Sequence, residues 1–381
     1  MAEHLQKKSL LIVSDTAMSK AAEGVSVFEP ALREIENLNG LFTHITWIGF
    51  NYGAHAELAM RLSQSGLINF IVLPKATGGD SFFAKLKILP YLPYLFFVIL
   101  KNVLKHQVIH TRGPSIPAMF AAMISLVDRS RLYWHKYAGN WKQEHAPWAY
   151  AFHRTLLKCN TKTVVTINGK WEGQQPHIIS FANPCLTQTE IELGRKSLAQ
   201  KSFTGQLTLL FVGNLISSKG PGKLLEALKS VDTASVNKLI VAGDGSQRKE
   251  LENIARELAI KVDFCGAVPR AQLEEYYKMS HILVLLSNSE GFPKVVAEAA
   301  AFGCVPIAFH VSSISQYVKD QESGVLLKMD STTAEISEAL QRMIGDKQKL
   351  AAMAAQATKM SEAFTYDIYR SRVQQEILSK K

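Results

Sequence analysis

Short apolar runs of strand length alternate with stretches of helical periodicity along almost the whole of this 381-residue chain. In the first half the candidate strands are Ser9–Ser14, His44–Ile48, Asn69–Leu73, Gln107–His110, Leu132–His135 and Thr163–Ile167. Helical patterns fall between them at Val25–Leu38, His55–Ser65, Tyr94–Leu104, Pro117–Val127 and Trp148–Leu157. The second half repeats the order with strands at Leu207–Val212, Lys238–Ala242, Lys261–Phe264, His281–Leu286, Val305–Phe309 and Val325–Leu327. Its helices are expected at Gly222–Val231, Gln247–Leu258, Ala271–Met279, Pro293–Phe302, Ser313–Lys319 and Thr333–Ile344. A βαβ series of this kind calls for parallel sheets with helices on both faces, the α/β class. Thr187 to Gln206 is polar and without sustained apolar periodicity, which places a domain boundary there. Two doubly wound domains result, and the carboxyl ends of their strands are expected to open into a cleft.

The length suffices for two cores, and 47% apolar with 20% charged residues is the balance of a globular protein. The apolar run Ser9–Val13 is too short for a signal-peptide core and reads as a first buried strand. Cys159, Cys185, Cys265 and Cys304 lie far apart, with no Cys-x-x-Cys pair, which points to reduced, buried thiols and a cytoplasmic chain.

The net charge of +10 is unevenly spread: residues 81–160 hold 11 Lys/Arg against 2 Asp/Glu. That excess suits an anionic partner, either a phospholipid surface or a lipid-pyrophosphate acceptor, and the plainer reading is a solvated basic face. No zinc-finger spacing, RNA-binding signature or basic helix with heptads is present, so nucleic acid is not expected as a partner. Ile88–Leu100 is uncharged, with Lys85, Lys87, Lys101 and Lys105 around it. It falls short of the ~18 residues needed to span a bilayer. It is either a helix lying in a membrane interface or an ordinary helix under the sheet.

The strongest local signal is Ser289-Glu-Gly-Phe-Pro-Lys-Val-Val-Ala-Glu-Ala-Ala-Ala-Phe-Gly303. A strand runs into a loop carrying Glu290, Pro293 suits the first position of a helix, and Gly303 ends that helix. The N–H groups of Lys294 and Val295, with the positive end of the helix dipole, are a site for a pyrophosphate. Glu290 at the mouth and Glu298 inside the helix are acceptors suited to sugar hydroxyls.

The spacing Glu-x7-Glu, followed by a small-residue helix, Gly303 and Val305-Pro306-Ile307, resembles the retaining glycosyltransferases of group 1, family 4, which have the GT-B fold of two Rossmann-like domains. Further pieces agree in order: Phe211-Val-Gly-Asn-Leu215, Lys219-Gly220, Leu224-Leu-Glu-Ala227, Val241-Ala-Gly-Asp-Gly245, and Phe264-Cys-Gly-Ala-Val-Pro269 with Leu273–Tyr277. The resemblance covers the second half well and the first half loosely. It implies an acceptor domain at 1–190, a donor domain at 191–365, and a C-terminal helix at 366–381 packing back on the first domain.

The same resemblance implies roles. Lys219 contacts the donor diphosphate and offsets the charge of the leaving group, Glu290 faces the transferred sugar, and Glu298 binds the ribose. Val268 lies by the base, and Gly213, Asn214, Gly291, Phe292, Pro293, Lys294 and Val295 complete the donor site. The family usually has Arg where Asn214 stands, so one cationic contact is missing unless Lys223, Lys294 or Arg112 supplies it. In the first half, His135 is expected to touch the transferred sugar, with Arg112 and Asn140 as cleft contacts. Tyr137–Trp141 is either a sugar-stacking loop or a packed one, and Asp15–Gly24 is read as a loop. Each role has a plainer alternative: a solvated helix-cap lysine for Lys219, dipole-complementing charges for the two glutamates, and a hydrogen-bonded core residue for His135.

Other doubly wound enzymes fit less well. No Gly-x-Gly-x-x-Gly follows the first strand, and Gly222-Lys223 lacks the upstream glycine of a P-loop. A sugar-nucleotide epimerase of the same fold and a non-catalytic nucleotide-sugar-binding subunit remain the alternatives. No Asp-x-Asp occurs in the chain, so neither a metal nor another cofactor is expected. The expected activity is metal-independent sugar transfer from a nucleotide sugar to a lipid-linked or glycan acceptor. It would serve lipopolysaccharide, capsule or other surface-glycan assembly, in the cytoplasm or at the inner face of its membrane.

Overall fold

The computed structural model describes residues 7–52, 60–74 and 89–380. Contacts divide the chain into two compact units, Met1–Phe181 with Tyr369–Lys381, and Ala182–Ile368.

The first unit is built from β1 (Lys8–Ala21), β2 (Gly24–Phe28), α1 (Glu29–Glu36), β3 (Phe42–Asn51), β4 (Met60–Leu62), β5 (Ile68–Pro74), α2 (Tyr91–Val103), β6 (Val108–Gly113), α3 (Ile116–Val127), β7 (Leu132–Tyr137), α4 (Trp148–Cys159), β8 (Val164–Ile167) and β9 (Ile178–Ser180). A parallel sheet runs β5-β3-β1-β6-β7-β8-β9, with β2 and β4 added antiparallel along the outer half of β1. Both faces are covered, so β6, β7 and β8 are buried at almost every residue rather than at alternate ones. Leu10, Ile12, Trp47 and Trp134 pack on one face with α1 and with Tyr369, Val373 and Ile377. Leu11, Val13, Ile48 and Ile109 pack on the other against α2 and α3. The α3 helix starts where Ser115 accepts the Ala118 N–H at 3.3 Å and Pro117 occupies the first turn.

The second unit holds α5 (Gln188–Gln200), β10 (Leu207–Val212), α6 (Pro221–Leu228), β11 (Val236–Ala242), α7 (Arg248–Ala255), β12 (Lys261–Gly266), α8 (Arg270–Met279), β13 (Ile282–Leu285), α9 (Lys294–Ala301), β14 (Val305–Phe309), α10 (Ile314–Tyr317), β15 (Val325–Leu327), α11 (Thr333–Gly345) and α12 (Lys347–Ser361). Its sheet is wholly parallel in the order β12-β11-β10-β13-β14-β15. The strand order reverses between β10 and β13, and in open parallel sheets ligands bind beyond the carboxyl ends at such a point.

Several segments differ from the sequence reading. Asp15–Gly24 is no loop: β1 continues to Ala21 and turns into β2, pairing Met18–Ala21 with Gly24–Val27. The pattern over Val25–Leu38 is therefore helical only from Glu29. Of the helix expected over His55–Ser65, residues 55–59 lie outside the described residues, and Met60–Leu62 is a strand paired with β2. The polar stretch after Thr187 is the helix α5, fixed by a capping box in which Thr187 and Glu190 satisfy each other's backbone N–H groups. Of Ile88–Leu100, residue 88 and the lysines at 85 and 87 lie outside the described residues, and the remainder lies in α2 and the turn before it. Among the described residues no helix is long and apolar enough to cross a membrane.

Candidate active site

Three backbone turns meet at the carboxyl edge of the second sheet. Gly213 follows β10, and its N–H donates to Ala242 O at 3.0 Å. Gly243 follows β11 so closely that a Cβ there would lie 1.9 Å from Gly213 O, so only glycine fits. Beyond Asn214, which is exposed, the chain makes a 3-10 turn over Ser217–Lys219 and enters α6 through Gly220 in the left-handed conformation, φ 73°. A Cβ on Gly220 would meet Leu286 O at 2.3 Å. The turn is thus pressed against the end of β13. Asn288 N–H and Ser287 Oγ both donate to Ser218 O, at 2.9 and 3.2 Å, stitching the Lys219 turn to the loop that carries Glu290.

Those contacts bring Lys219 and Glu290, 71 residues apart in the chain, to a Nζ–Oε1 distance of 2.5 Å. Both side chains stay partly accessible. After Glu290, Gly291 O accepts the Ser313 hydroxyl at 2.9 Å, and Phe292 is buried, stacked on Phe364 at 4.4 Å between ring centres. Phe292 therefore anchors the loop by packing. Pro293 sits just before α9 rather than at its first position; Lys294 and Val295 are the first two helical residues, half-buried, where N–H groups have no intrahelical acceptor.

Glu298 lies one turn further in and is buried. Arg270, the first residue of α8, donates to its Oε1 at 2.6 Å, and the Tyr277 hydroxyl donates to its Oε2 at 3.1 Å. Arg270 also holds Glu190 Oε1 at 2.9 Å and Cys185 O at 3.1 Å. Burial works against the charge of Arg270, but Glu298 and Glu190 outweigh it and raise its pKa above the ordinary arginine value. Burial, reinforced by the Glu298 charge, pushes Tyr277 far up, so its hydroxyl is a neutral donor. A carboxylate offers about four acceptor sites, so Glu298 keeps capacity for a ligand's hydroxyls.

Sequence reasoning missed Arg270, Tyr277 and Glu190. One signal was present: a cation at the first position of a helix opposes the dipole, so its location implied a carboxylate partner. Val268, two residues earlier, is half-buried against the apolar cluster on that side of the sheet. Lys223 directs its ammonium over the Phe309 ring, 4.8 Å from the centre.

The first unit corrects two expectations and decides a third between its alternatives. His135 is fully buried, with Nδ1 2.9 Å from Thr111 Oγ1 and Nε2 3.4 Å from Ser125 Oγ. Burial, with the charges of His153 and His177, lowers its pKa to about 3, so it is a neutral core histidine and is not presented to a sugar. Arg112 is committed to Glu34, a carboxylate without solvent exposure, through bonds of 2.8 and 3.2 Å. Lys136 and Tyr369 bind the same Glu34, so Arg112 is no spare cation for a diphosphate. Tyr137 and Trp141 are buried edge to face at 5.3 Å, which makes their loop a packed one. Asn140 Oδ1 accepts the Lys142 N–H at 3.0 Å and closes a turn.

Two doubly wound α/β units in one chain, with a lysine turn and two carboxylates at the switch point of the second, define the GT-B class of fold. Residues 195–360 match the family of glycosyl transferases group 1. It is 31% identical over 205 residues to the GalNAc-alpha-(1->4)-GalNAc-alpha-(1->3)-diNAcBac-PP-undecaprenol alpha-1,4-N-acetyl-D-galactosaminyltransferase of Campylobacter jejuni, covering 52% of this chain and 55% of that one. Among solved structures it resembles Anabaena Alr3699/HepE in complex with UDP, at 18% identity and TM-score 0.69 over 98% of this chain and 100% of that one. It also resembles the lipopolysaccharide outer core galactosyltransferase WaaB in its apo form, at 16% identity and TM-score 0.67 over 98% and 100%. These two likenesses concern the fold. The chain spans about half the length of most of the curated relatives it matches.

Proposed function

We propose that this chain moves a sugar from a nucleotide-sugar donor to a lipid-linked or polysaccharide acceptor, with retention of anomeric configuration and without a divalent metal, in the assembly of a bacterial surface glycan. The observation that carries the reading is the Lys219–Glu290 pair at the switch point, with Glu298 clamped behind it. A partly exposed ion pair is worth little, ~1 kcal/mol or less, so an entering diphosphate separates it at small cost. Lys219 then turns to the diphosphate and Glu290 to the sugar.

As the bond from the sugar to the diphosphate breaks, negative charge grows on the leaving phosphate and positive character grows on the sugar ring. Lys219 and the amino end of α9 oppose the first, and Glu290 opposes the second. Stabilisation placed where charge develops is commonly the largest part of such catalysis. Glu298, behind them, accepts the ribose hydroxyls, and Val268 lies beside the base. Lysine and a helix start stand in for the metal that an Asp-x-Asp pair would hold, and the chain has no Asp-x-Asp.

The Campylobacter relative's name specifies an undecaprenol-linked acceptor, and HepE was solved with UDP; both support a lipid-linked acceptor and make uridine the first base to try. The test is transfer from UDP-, GDP- and ADP-sugars to lipid-linked acceptors in EDTA. One donor is expected to turn over at its full rate, with product of the donor's anomeric configuration. Loss of transfer in EDTA with recovery in manganese would defeat the metal-free reading. Tight nucleotide binding without turnover on any acceptor would favour a non-catalytic subunit.

A further inference from the structure

The outward side of α2, α3 and α4 lacks what a water-facing helix layer normally has. All three cover one face of the first sheet: Leu95, Ile99, Ala121 and Ile124 pack inward there, and Leu156 and Leu157 continue the layer beside Ala122. Phe96 of α2 meets Phe120 of α3 edge to face at 5.6 Å, so the first two helices are in side-chain contact. A surface helix ordinarily turns charged residues outward. Here α3, Ile116–Val127, has no charged residue at all, and Met123, Leu126 and Val127 are exposed. The outward stripe of α2 is Tyr94 and Phe97 before it reaches Lys101, and α4 opens on Trp148 and Phe152. Phe97 is 65% exposed, Val127 83% and Trp148 79%. Apolar surface of this extent across adjacent elements marks an interaction site.

Cations border it. Lys101, Lys105, Lys142 and Lys158 are exposed on or beside the three helices, in the stretch where bases outnumber acids 11 to 2. We propose that this face docks on an anionic lipid surface. The aromatic and aliphatic side chains enter the headgroup boundary while the lysines reach lipid phosphates, the arrangement that holds amphipathic helices in a membrane interface. A second copy of the chain fits less well, because a two-fold contact through this face would set the same lysines against each other. The inference stands apart from the transfer reaction, since docking is measured without turnover.

Vesicle binding tests it on the full chain, using phosphatidylglycerol mixed into phosphatidylcholine and pure phosphatidylcholine. Binding to the anionic vesicles is expected to be at least about tenfold tighter and to weaken with salt. Phe97→Ser combined with Val127→Ser should lower it by about tenfold or more, and Lys101→Glu combined with Lys105→Glu should abolish the preference for phosphatidylglycerol. Of the five tryptophans, Trp47, Trp134 and Trp141 are buried and Trp171 is half-buried. Emission should therefore shift to the blue as Trp148 enters the lipid, and Trp148→Phe should remove the shift. These positions are exposed, so unchanged thermal midpoints are expected to accompany the losses. No binding to either vesicle, equal binding to both, or a dimer that the Phe97→Ser and Val127→Ser changes convert to monomer would overturn the proposal.

Discussion

Arg270 meets Glu298 at 2.6 Å and, on its other edge, Glu190 at 2.9 Å, so one guanidinium joins the starts of α5 and α8 to the inside of α9. Glu298 is the carboxylate assigned to the donor's ribose. Its orientation is therefore set by a residue that need not touch the donor at all.

Arg270→Ala should separate binding from chemistry. Losing the clamp lets Glu298 take other rotamers, so nucleoside diphosphate affinity should fall by about tenfold, ~1.4 kcal/mol, with turnover at saturating donor nearly unchanged. Stability should also fall, by about 3 kcal/mol, because two mostly buried carboxylates lose their partner. Arg270→Lys should recover part of the stability and less of the affinity, since a single ammonium cannot hold both acids in the same geometry. Calorimetry with UDP beside steady-state kinetics reads both effects. A fall in turnover with affinity intact would place Arg270 at the reacting atoms instead.

Gly220 should be intolerant of a methyl group. Its φ of 73° and the 2.3 Å approach of its would-be Cβ to Leu286 O act together. Gly220→Ala is expected to cost at least about 2 kcal/mol and to push Lys219 away from Glu290, lowering transfer as well. Gly345→Ala, where nothing lies within 4 Å, is the control and should be close to neutral. Chemical denaturation followed in both variants decides it. Equal stability would mean that the turn is not pressed against β13.

The first unit should be sensitive to mild acid. Burial lowers His135 to about 3 and His153 to about 4, from an ordinary 6.5. Between those values and 6.5 the unfolded chain binds protons that the folded unit does not. The stability owed to these neutral rings is therefore complete above pH 6.5 and lost progressively as pH falls below it, on the order of several kcal/mol. His135→Gln should flatten that acid limb and leave transfer at neutral pH within a few-fold of the parent. A large loss of turnover at neutral pH would return His135 to the catalytic machinery.

The sequence reading went furthest where structure is local. In the second unit the strands, the helices between them and the spacing from Glu290 to Glu298 follow from one βα repeat, so residues that act together lie on one strand, loop and helix. Lys219 was singled out because the lysine–glycine turn after the first strand of that unit resembles the family's. The helix start at Arg270 hinted at a carboxylate partner but not at which one, because Glu298 and Glu190 lie 28 and 80 residues away and only folding joins them. His135 and Arg112 were misread for a related reason. On β6 and β7, covered on both faces, polar and apolar residues alike are buried, so alternation cannot tell a side chain aimed at solvent from one tied to Thr111 or Glu34. The β1–β2 hairpin escaped notice because its turn, Ala22-Glu23, carries none of the Asn-Gly or Asp-Gly chemistry that usually marks one.

In the proposed reaction Lys219 and Glu290 act on the breaking bond while Glu298 holds the nucleotide. Nucleoside diphosphate titrated into Lys219→Ala, Glu290→Gln and Glu298→Gln, each paired with its turnover at saturating donor, tests it most directly. Glu290→Gln should bind nearly as tightly as the parent yet turn over far more slowly. Lys219→Ala should lose about a hundredfold in turnover, ~3 kcal/mol, the usual worth of one contact to a developing charge. Glu298→Gln should instead weaken binding by about 1–3 kcal/mol, as expected for a charge-assisted hydrogen bond, with turnover largely kept. If both glutamate variants lost affinity equally while turnover at saturation stayed unchanged in all three, the pair at the switch point would be structural and the proposed chemistry wrong.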